Sequence, residues 1–409
     1  MSKKIILFLS DLKKGGAREY RCPGGGTVVG VQTCEAPLRY LLGAYPKVSE
    51  VLCIVTPIGK GTLPAVRQIV KEIAPATVVT QIPFEDGEDF SAGPLAQIMA
   101  AVKKNDEILL ELTGGLRDAV MQLLLTSRAL SFSSVPTIGA VYSNYGTGEI
   151  VDCSYLIGLF DLLGGMQELA SFGSVDTLRG YYAKQSGEKS EIKALLDAME
   201  KLREDITLCR TGKIDQRIAA FNAAIDGVEG CSDPLMAALI PAFRTKFDKK
   251  LNVPSLIRWC INSDMLQQAL TLYRERIPGY LLKRSILLVK ENASPPIEKE
   301  RWETEEDARF RTQLLTLSML KDTERCFPSS DYITGKNVTF SKLGTILQDY
   351  EYIRQLRNMV NHAGDGKDQE QNSKLDFLCE STRYKSLDQV RAADIRKALE
   401  QGLDHLKNC

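Results

Sequence analysis

Six residues near the carboxyl end of the chain carry the side chains that phosphodiester chemistry uses: Arg357-Asn358-Met359-Val360-Asn361-His362. The spacing predicts that they close a helix over 341–362. Leu343, Ile346, Leu347, Tyr350, Ile353, Leu356 and Val360 recur at helical intervals and trace one apolar stripe. At about 100° per residue, Arg357 falls ~40° from Ile353, inside that stripe. A guanidinium in an apolar seam costs several kcal/mol unless an anion or partner meets it. His362 falls in the last turn before Ala363-Gly364, a C-terminal stop. There the helix dipole favours an imidazolium by about 0.3–1 kcal/mol when the group is exposed. A cationic histidine can transfer a proton, and a fixed arginine can steady the charge on a pentacoordinate phosphorus. Five positions along an ideal helix separate the two side chains by ~140°, so they converge only if the helix ends early or two chains meet. The same spacing also serves a capping histidine and an arginine that reaches water by its stem.

A second constellation is Glu111-Leu112-Thr113-Gly114-Gly115-Leu116-Arg117-Asp118, at a predicted strand-to-helix junction. Paired glycines let a ligand approach the backbone, the helix N-terminus offers unpaired N–H groups, and Arg117 adds a cation. An anionic nucleotide would suit such a junction; a tight turn with glycines chosen for conformation would suit it equally. Lys13-Lys14-Gly15-Gly16 and Gly59-Lys60-Gly61-Thr62 follow two other predicted strands and fall at the same sheet edge. A Walker A loop is excluded, because Gly61 follows Lys60 and Ile54 stands where the leading glycine belongs. No G-x-G-x-x-G follows the first strand, which weakens a nicotinamide-dependent reading.

Composition narrows the chemistry further. His362 and His405 are the chain's two histidines, so a three-histidine metal site cannot be built within it, and no metal is expected. His405, among Leu399, Leu403 and Leu406 of an amphipathic terminal helix, reads as solvated surface. The ten cysteines are scattered singly with no C-x-x-C pair, which suggests neither zinc nor a disulfide framework and fits a reducing, cytoplasmic setting. Trp259 and Trp302 are expected in helical cores. With 52 basic and 52 acidic residues the net charge is zero. That argues against tight non-specific duplex binding, so no DNA partner is expected, yet it leaves room for brief contact with RNA. At 409 residues, 44% hydrophobic and 25% charged, the chain should hold two or three domains with sizeable cores. No run approaches the ~20 apolar residues of a membrane span, and the N-terminal IILFL reads as a strand rather than a leader.

The elements that must position these residues divide the chain in two. Twenty of the 31 glycines fall in the first 175 residues. There, apolar strand-like runs at 3–9, 51–57, 77–84 and 107–113 alternate with helical patterns at 35–45 (Thr33 as N-cap), 63–73, 94–103 and 116–131. A hairpin around Gly146-Thr147-Gly148 closes the series. This order predicts an α/β fold with a Rossmann-like parallel sheet covered on both faces, whose ligands bind beyond the carboxyl ends of the strands. From about Leu156 the period becomes 3.6 and stays helical, predicting an all-α C-terminal part. Domain boundaries are expected as 1–173, a helical connector 174–230, and 231–409, with a polar loop at 364–374.

Taken together, the two motifs resemble a known family. Arg357-Asn358 followed by His362, in a C-terminal helical domain, looks like the signature of HEPN ribonucleases. Leu112 to Arg117 resembles the ligand motif of CARF domains, Rossmann-like sensors of cyclic oligoadenylate. Gln32 to Pro37 with Arg39-Tyr40-Leu41-Leu42 resembles the first helix entry of that class. The order is similar to the accessory ribonucleases of type III CRISPR antiviral systems, although the middle, about 175–335, matches nothing quotable. The resemblance implies a homodimer in which two sensor domains share one ring activator and two HEPN motifs form a composite site for single-stranded RNA. Cleavage would need no metal. His362 would transfer the proton, Arg357 would meet the phosphate charge, and Asn358 would orient them. The activator, tetra-adenylate in preference to hexa-adenylate, would rest on Thr113, Gly114, Gly115 and Arg117. Ser10 and Asn144 are added from their position at the sheet edge. The rival reading is a sensor without catalysis, whose helical half recruits a partner.

Overall fold

The structure is a computed structural model, and it describes residues 2–84, 93–115, 117–185, 187, 189–289, 332–334, 338–361 and 390–407. The chain divides into two compact units, Met1–Leu163 and Gly164–Cys409. No described helix is long and apolar enough to cross a membrane.

In the first unit, continuous apolar runs become buried strands. β1 (Lys3–Phe8), β4 (Val48–Val55), β5 (Val78–Pro83), β6 (Glu107–Glu111) and β7 (Thr137–Asn144) are parallel, in the order β7-β6-β1-β4-β5. Alternate side chains feed two cores, as the two-residue strand period requires. Ile5, Leu7, Val51 and Cys53 pack on one face under α1 (Glu35–Ala44) and α2 (Leu63–Ile73). Ile6, Phe8, Leu52 and Leu110 pack on the other under α3 (Pro94–Ala101) and α4 (Arg117–Phe132). The doubly wound sheet expected from the sequence is therefore present, with a switch point between β1 and β6.

Two features depart from the reading above. The sheet is mixed, with eight strands. Beyond β7 lie β8 (Glu149–Asp152), antiparallel to it in the expected hairpin, and then β2 (Arg18–Arg21) and β3 (Thr27–Gly30), for which no apolar run predicts a strand. Gly24, Gly25 and Gly26 turn that second hairpin with φ of 81°, 107° and 80°, conformations that favour glycine. Thr33 does not cap α1. Cys34 holds the cap position without a side-chain bond, while the Glu35 carboxylate accepts from the amides of Val31 (2.8 Å) and Gln32 (3.1 Å). The Glu35 side chain thus turns back to the segment that enters the helix, and no side chain caps α1.

α5 (Ser154–Phe172) contains the division between the units. The second unit follows as α6 (Asp176–Lys184), α7 (Ser190–Thr207), α8 (Ile214–Val228), α9 (Pro234–Thr245), α10 (Val253–Asn262) and α11 (Leu266–Lys283). α12 (Phe340–Asn361) and α13 (Ala392–Lys407) complete its described helices. It is not wholly helical: β9 (Leu287–Val289) and β10 (Tyr332–Thr334) form a short antiparallel ribbon. The buried Trp259 indole donates to the Ala170 carbonyl at 2.7 Å, a helical-core role as expected. Trp302 and the predicted loop at 364–374 lie outside the described residues.

α12 matches its predicted span to within a residue. Leu343, Ile346, Leu347, Tyr350, Ile353 and Leu356 are buried, and Val360 is half-buried. A polar row is buried beside them, unexpectedly for an amphipathic helix. Glu351 and Gln355 are each 4% exposed; Arg354 grips the Glu351 carboxylate with two bonds (2.7 and 2.8 Å), and the Gln355 amide donates to it at 2.9 Å. His405 is likewise not solvated surface. It sits half-buried on α13 with Nδ1 2.5 Å from Asp349 Oδ2 on α12. Burial pushes the Asp349 carboxyl above its usual range, and the His405 contact pulls partly back.

Candidate functional site

The carboxyl ends of β1 and β6 open into a cavity of about 740 Å³ in the first unit. Its wall combines the hydroxyls of Ser10, Thr33, Thr56, Thr113 and Ser143 with the aromatic rings of Phe8, Tyr20, Phe84 and Tyr145. Lys13 and Asp11 supply the lining charges, and Gly15, Gly16 and Gly115 leave backbone exposed to it. The predicted residues Ser10, Thr113 and Gly115, more than a hundred positions apart in the chain, line it together, whereas Gly114 packs behind them and is not a lining residue.

Their geometry follows from three anchors. Ser10 Oγ accepts from the Gly115 amide at 2.9 Å, joining the two strand ends. Gly114 is packed so closely that a Cβ would stand 1.9 Å from the Phe8 carbonyl oxygen, so no larger residue fits without moving backbone. Glu111, fully buried at the end of β6, accepts from the Thr113 amide at 2.7 Å. Burial pushes its carboxyl up to about 7, against the hydrogen bonds from Thr113 and Gly114 that favour the ionised form. Its second oxygen, Oε2, is buried without a hydrogen-bond partner among the described residues.

The opposite wall is tied to the same turn. The Ser143 amide donates to Thr113 Oγ1 at 2.8 Å, and Ser143 Oγ donates to the Thr33 carbonyl at 3.3 Å. Thr62 Oγ1 donates to the Ser10 carbonyl at 2.7 Å. Gln32 clamps the loop after β1: its Oε1 accepts from the Lys13 amide (2.9 Å) and its Nε2 donates to the Lys13 carbonyl (3.1 Å). Such an arrangement offers fixed hydroxyls, exposed amides and aromatic faces around one flexible cation. It suits a ligand with sugar hydroxyls, a base and sparse negative charge.

Asn144 does not line this cavity. Its Oδ1 accepts from the Thr147 amide at 3.3 Å and shapes the β7–β8 turn, while its neighbours Ser143 and Tyr145 do line the cavity. Arg117 begins α4, as predicted, but its side chain lies outside the described ones. Lys60, in a short 3-10 turn over Ile58–Thr62, is not a lining residue. Sequence reasoning passed over Gln32 as a clamp, and it passed over Tyr20, Thr33, Thr56, Ser143 and Tyr145. For Ser143 and Tyr145 the signal was available in their position at the end of a strand already recognised. For Tyr20 it was not, because the strand that carries it was not recognised.

In the second unit, Arg357 and Asn358 are half-buried near the end of α12. The partner that Arg357 requires is neutral. With its amide oxygen turned to the guanidinium, Asn361 accepts from Nε at 2.9 Å and from Nη2 at 3.2 Å. Among the described residues Asn361 is thus the one that positions this arginine, a role the motif alone did not suggest. His362 lies outside the described residues. Among the described residues, no group of three His, Cys, Asp or Glu side chains could hold a metal. Comparison of the chain with protein-family models and with curated proteins finds no match.

Proposed function

We propose that the chain is an endoribonuclease activated by a cyclic oligoadenylate, with the sensor in the first unit and the nuclease centre at the end of α12. The observation that carries this reading is the Thr113-Gly114-Gly115 turn, pinned to Ser10 at the sheet's switch point and open to a cavity of about 740 Å³. A nucleotide's hydroxyls, phosphate and base each find a matching group there: hydroxyl side chains, backbone amides with Lys13, and aromatic rings.

In the nuclease centre, the 2′-hydroxyl of the RNA attacks the adjacent phosphorus. A 2′,3′-cyclic phosphate forms as the bond to the 5′-oxygen breaks, and that oxygen leaves as a hydroxyl. His362 transfers the proton, Arg357 meets the charge on the phosphorane, and Asn358 orients the pair. Two copies acting together would bring an arginine of one to the histidine of the other, which answers the ~140° separation along one helix. The proposed partners are therefore a second copy, single-stranded RNA and the ring, tetra-adenylate before hexa-adenylate, in a cytoplasmic antiviral setting. A second reading, a sensor that recruits a partner without cutting, draws on the Arg357–Asn361 pairing, which gives two of the guanidinium's five N–H groups an acceptor on the same helix.

The test incubates the protein with single-stranded RNA, EDTA and each cyclic oligoadenylate. Cleavage that requires a ring and falls by at least ~100-fold in His362→Ala is expected. Ring binding with no cleavage would establish the sensor alone.

A further inference from the structure

At the mouth of the cavity, Arg18 on β2 lies over the ring of Tyr145, with its guanidinium carbon 4.1 Å from the ring centroid. The same guanidinium is 5.8 Å from the centroid of Tyr20. Both tyrosines line the cavity, yet they differ in kind: Tyr20 is buried in the sheet's core, whereas Tyr145 is 73% exposed. Among the described residues no carboxylate pairs with Arg18, so aromatic faces rather than an acid hold it in place. Its N–H fork keeps its capacity for an anion. A cation thus lies over the Tyr145 ring, while the residue as a whole stays 73% exposed at a cavity lined with hydroxyls.

An exposed ring with a guanidinium over it presents a π surface of the kind on which a nucleobase stacks. We propose that Tyr145, backed by Arg18, is the base-stacking platform of the cavity, taking a purine on its ring while Arg18 meets the phosphate attached to that nucleoside. This subsite rests on the nucleotide reading above and adds to it a base-recognising residue and a second cation, neither of which lies in the glycine turn. Tyr145 sits next to Asn144, so the β7–β8 hairpin contributes to the ligand through its ring rather than through that amide. The ring extends the binding surface from the switch point toward β2, a strand formed by the hairpin inserted after β1.

The experiment measures affinity for AMP, for cyclic tetra-adenylate and for ribose 5-phosphate, in the full chain and in Tyr145→Ala, Tyr145→Phe and Arg18→Ala. Tyr145→Ala is expected to weaken both base-bearing ligands by roughly tenfold or more and to leave ribose 5-phosphate unchanged. Tyr145→Phe keeps the ring and should bind like the parent. Arg18→Ala should weaken all three ligands, since each carries phosphate. A Tyr145→Trp variant adds an optical readout: bound adenine should quench the new indole's fluorescence. Unchanged affinity in Tyr145→Ala, or equal losses with and without a base, overturns the platform while leaving the nucleotide reading intact. A parent chain that binds neither AMP nor the cyclic tetra-adenylate overturns the nucleotide reading and the platform together.

Discussion

The cavity at the sheet edge and the end of α12 are built by opposite means. At the cavity, residues 10, 33, 113 and 143 come together only because the fold brings four chain segments to one edge. The bonds that fix them run largely through backbone: the amides of Thr113, Gly115 and Ser143 and the carbonyls of Ser10 and Thr33. At α12 the described residues of the proposed centre, Arg357 and Asn358, are neighbours on a single helix, and the side-chain amide of Asn361 holds the arginine. A site made of backbone depends on space and buried charge, so damage to it is damage to the fold. A site made of side chains on a helix already secured by Leu343, Ile346, Leu347, Ile353 and Leu356 can lose its chemistry and remain folded.

Substitutions can break or sharpen that contrast. The largest effect is expected from Arg357→Ala: RNA cleavage should fall by about 10²–10³-fold. The unfolding free energy should move by less than ~0.5 kcal/mol, because the arginine is half-buried and, among the described residues, pairs with an amide. A large loss of stability instead would make α12's end as fold-dependent as the cavity.

Glu111 supplies the converse test. Its carboxyl titrates at about 7 in the fold against an ordinary 4.5. The folded form therefore keeps its proton after the unfolded chain has lost its own. The stabilisation is complete below about pH 4.5 and disappears as the pH rises through 7, a swing of about 3 kcal/mol. Glu111→Gln cannot ionise. Denaturation curves of the two proteins at pH 4, 6 and 8 should diverge with rising pH, the parent becoming the less stable. Parallel curves would mean that the buried charge is not what the turn must accommodate. Gly114→Ala comes third. Forcing a methyl group toward the Phe8 carbonyl should cost about 2 kcal/mol and abolish the response to the ring. A stable Gly114→Ala protein that still responds would show that the turn has room to spare.

The same contrast explains what the sequence disclosed. Continuous apolar runs and sustained helical periodicity are local signals, so the parallel strands, α2 at 63–73 and α12 were legible with bounds within a few residues. β2 and β3 were not: in Arg18-Glu19-Tyr20-Arg21, Tyr20 alone is buried, and a short polar strand at a sheet edge has no periodicity to show. The cavity was half legible. Glycine turns mark where strands end, but which hydroxyls and rings meet across them is decided by strand order. Asn144 and Ser143 are neighbours in sequence, and only the pleat and turn assign one to the hairpin and the other to the cavity. His405 was misread because its partner, Asp349, is 56 positions away on another helix. Thr33 does not cap because the helix starts one residue later, after Cys34, and Glu35 reaches back three and four residues to fix the segment before it.

On the proposed function, filling the cavity switches on the chemistry at α12. A titration of the protein with cyclic tetra-adenylate in EDTA, with ring occupancy and RNA cleavage followed in the same samples, decides it. Cleavage that is absent without the ring and rises in step with occupancy is the result predicted. Cleavage at full rate in the unliganded protein, or full occupancy with intact RNA, would contradict it.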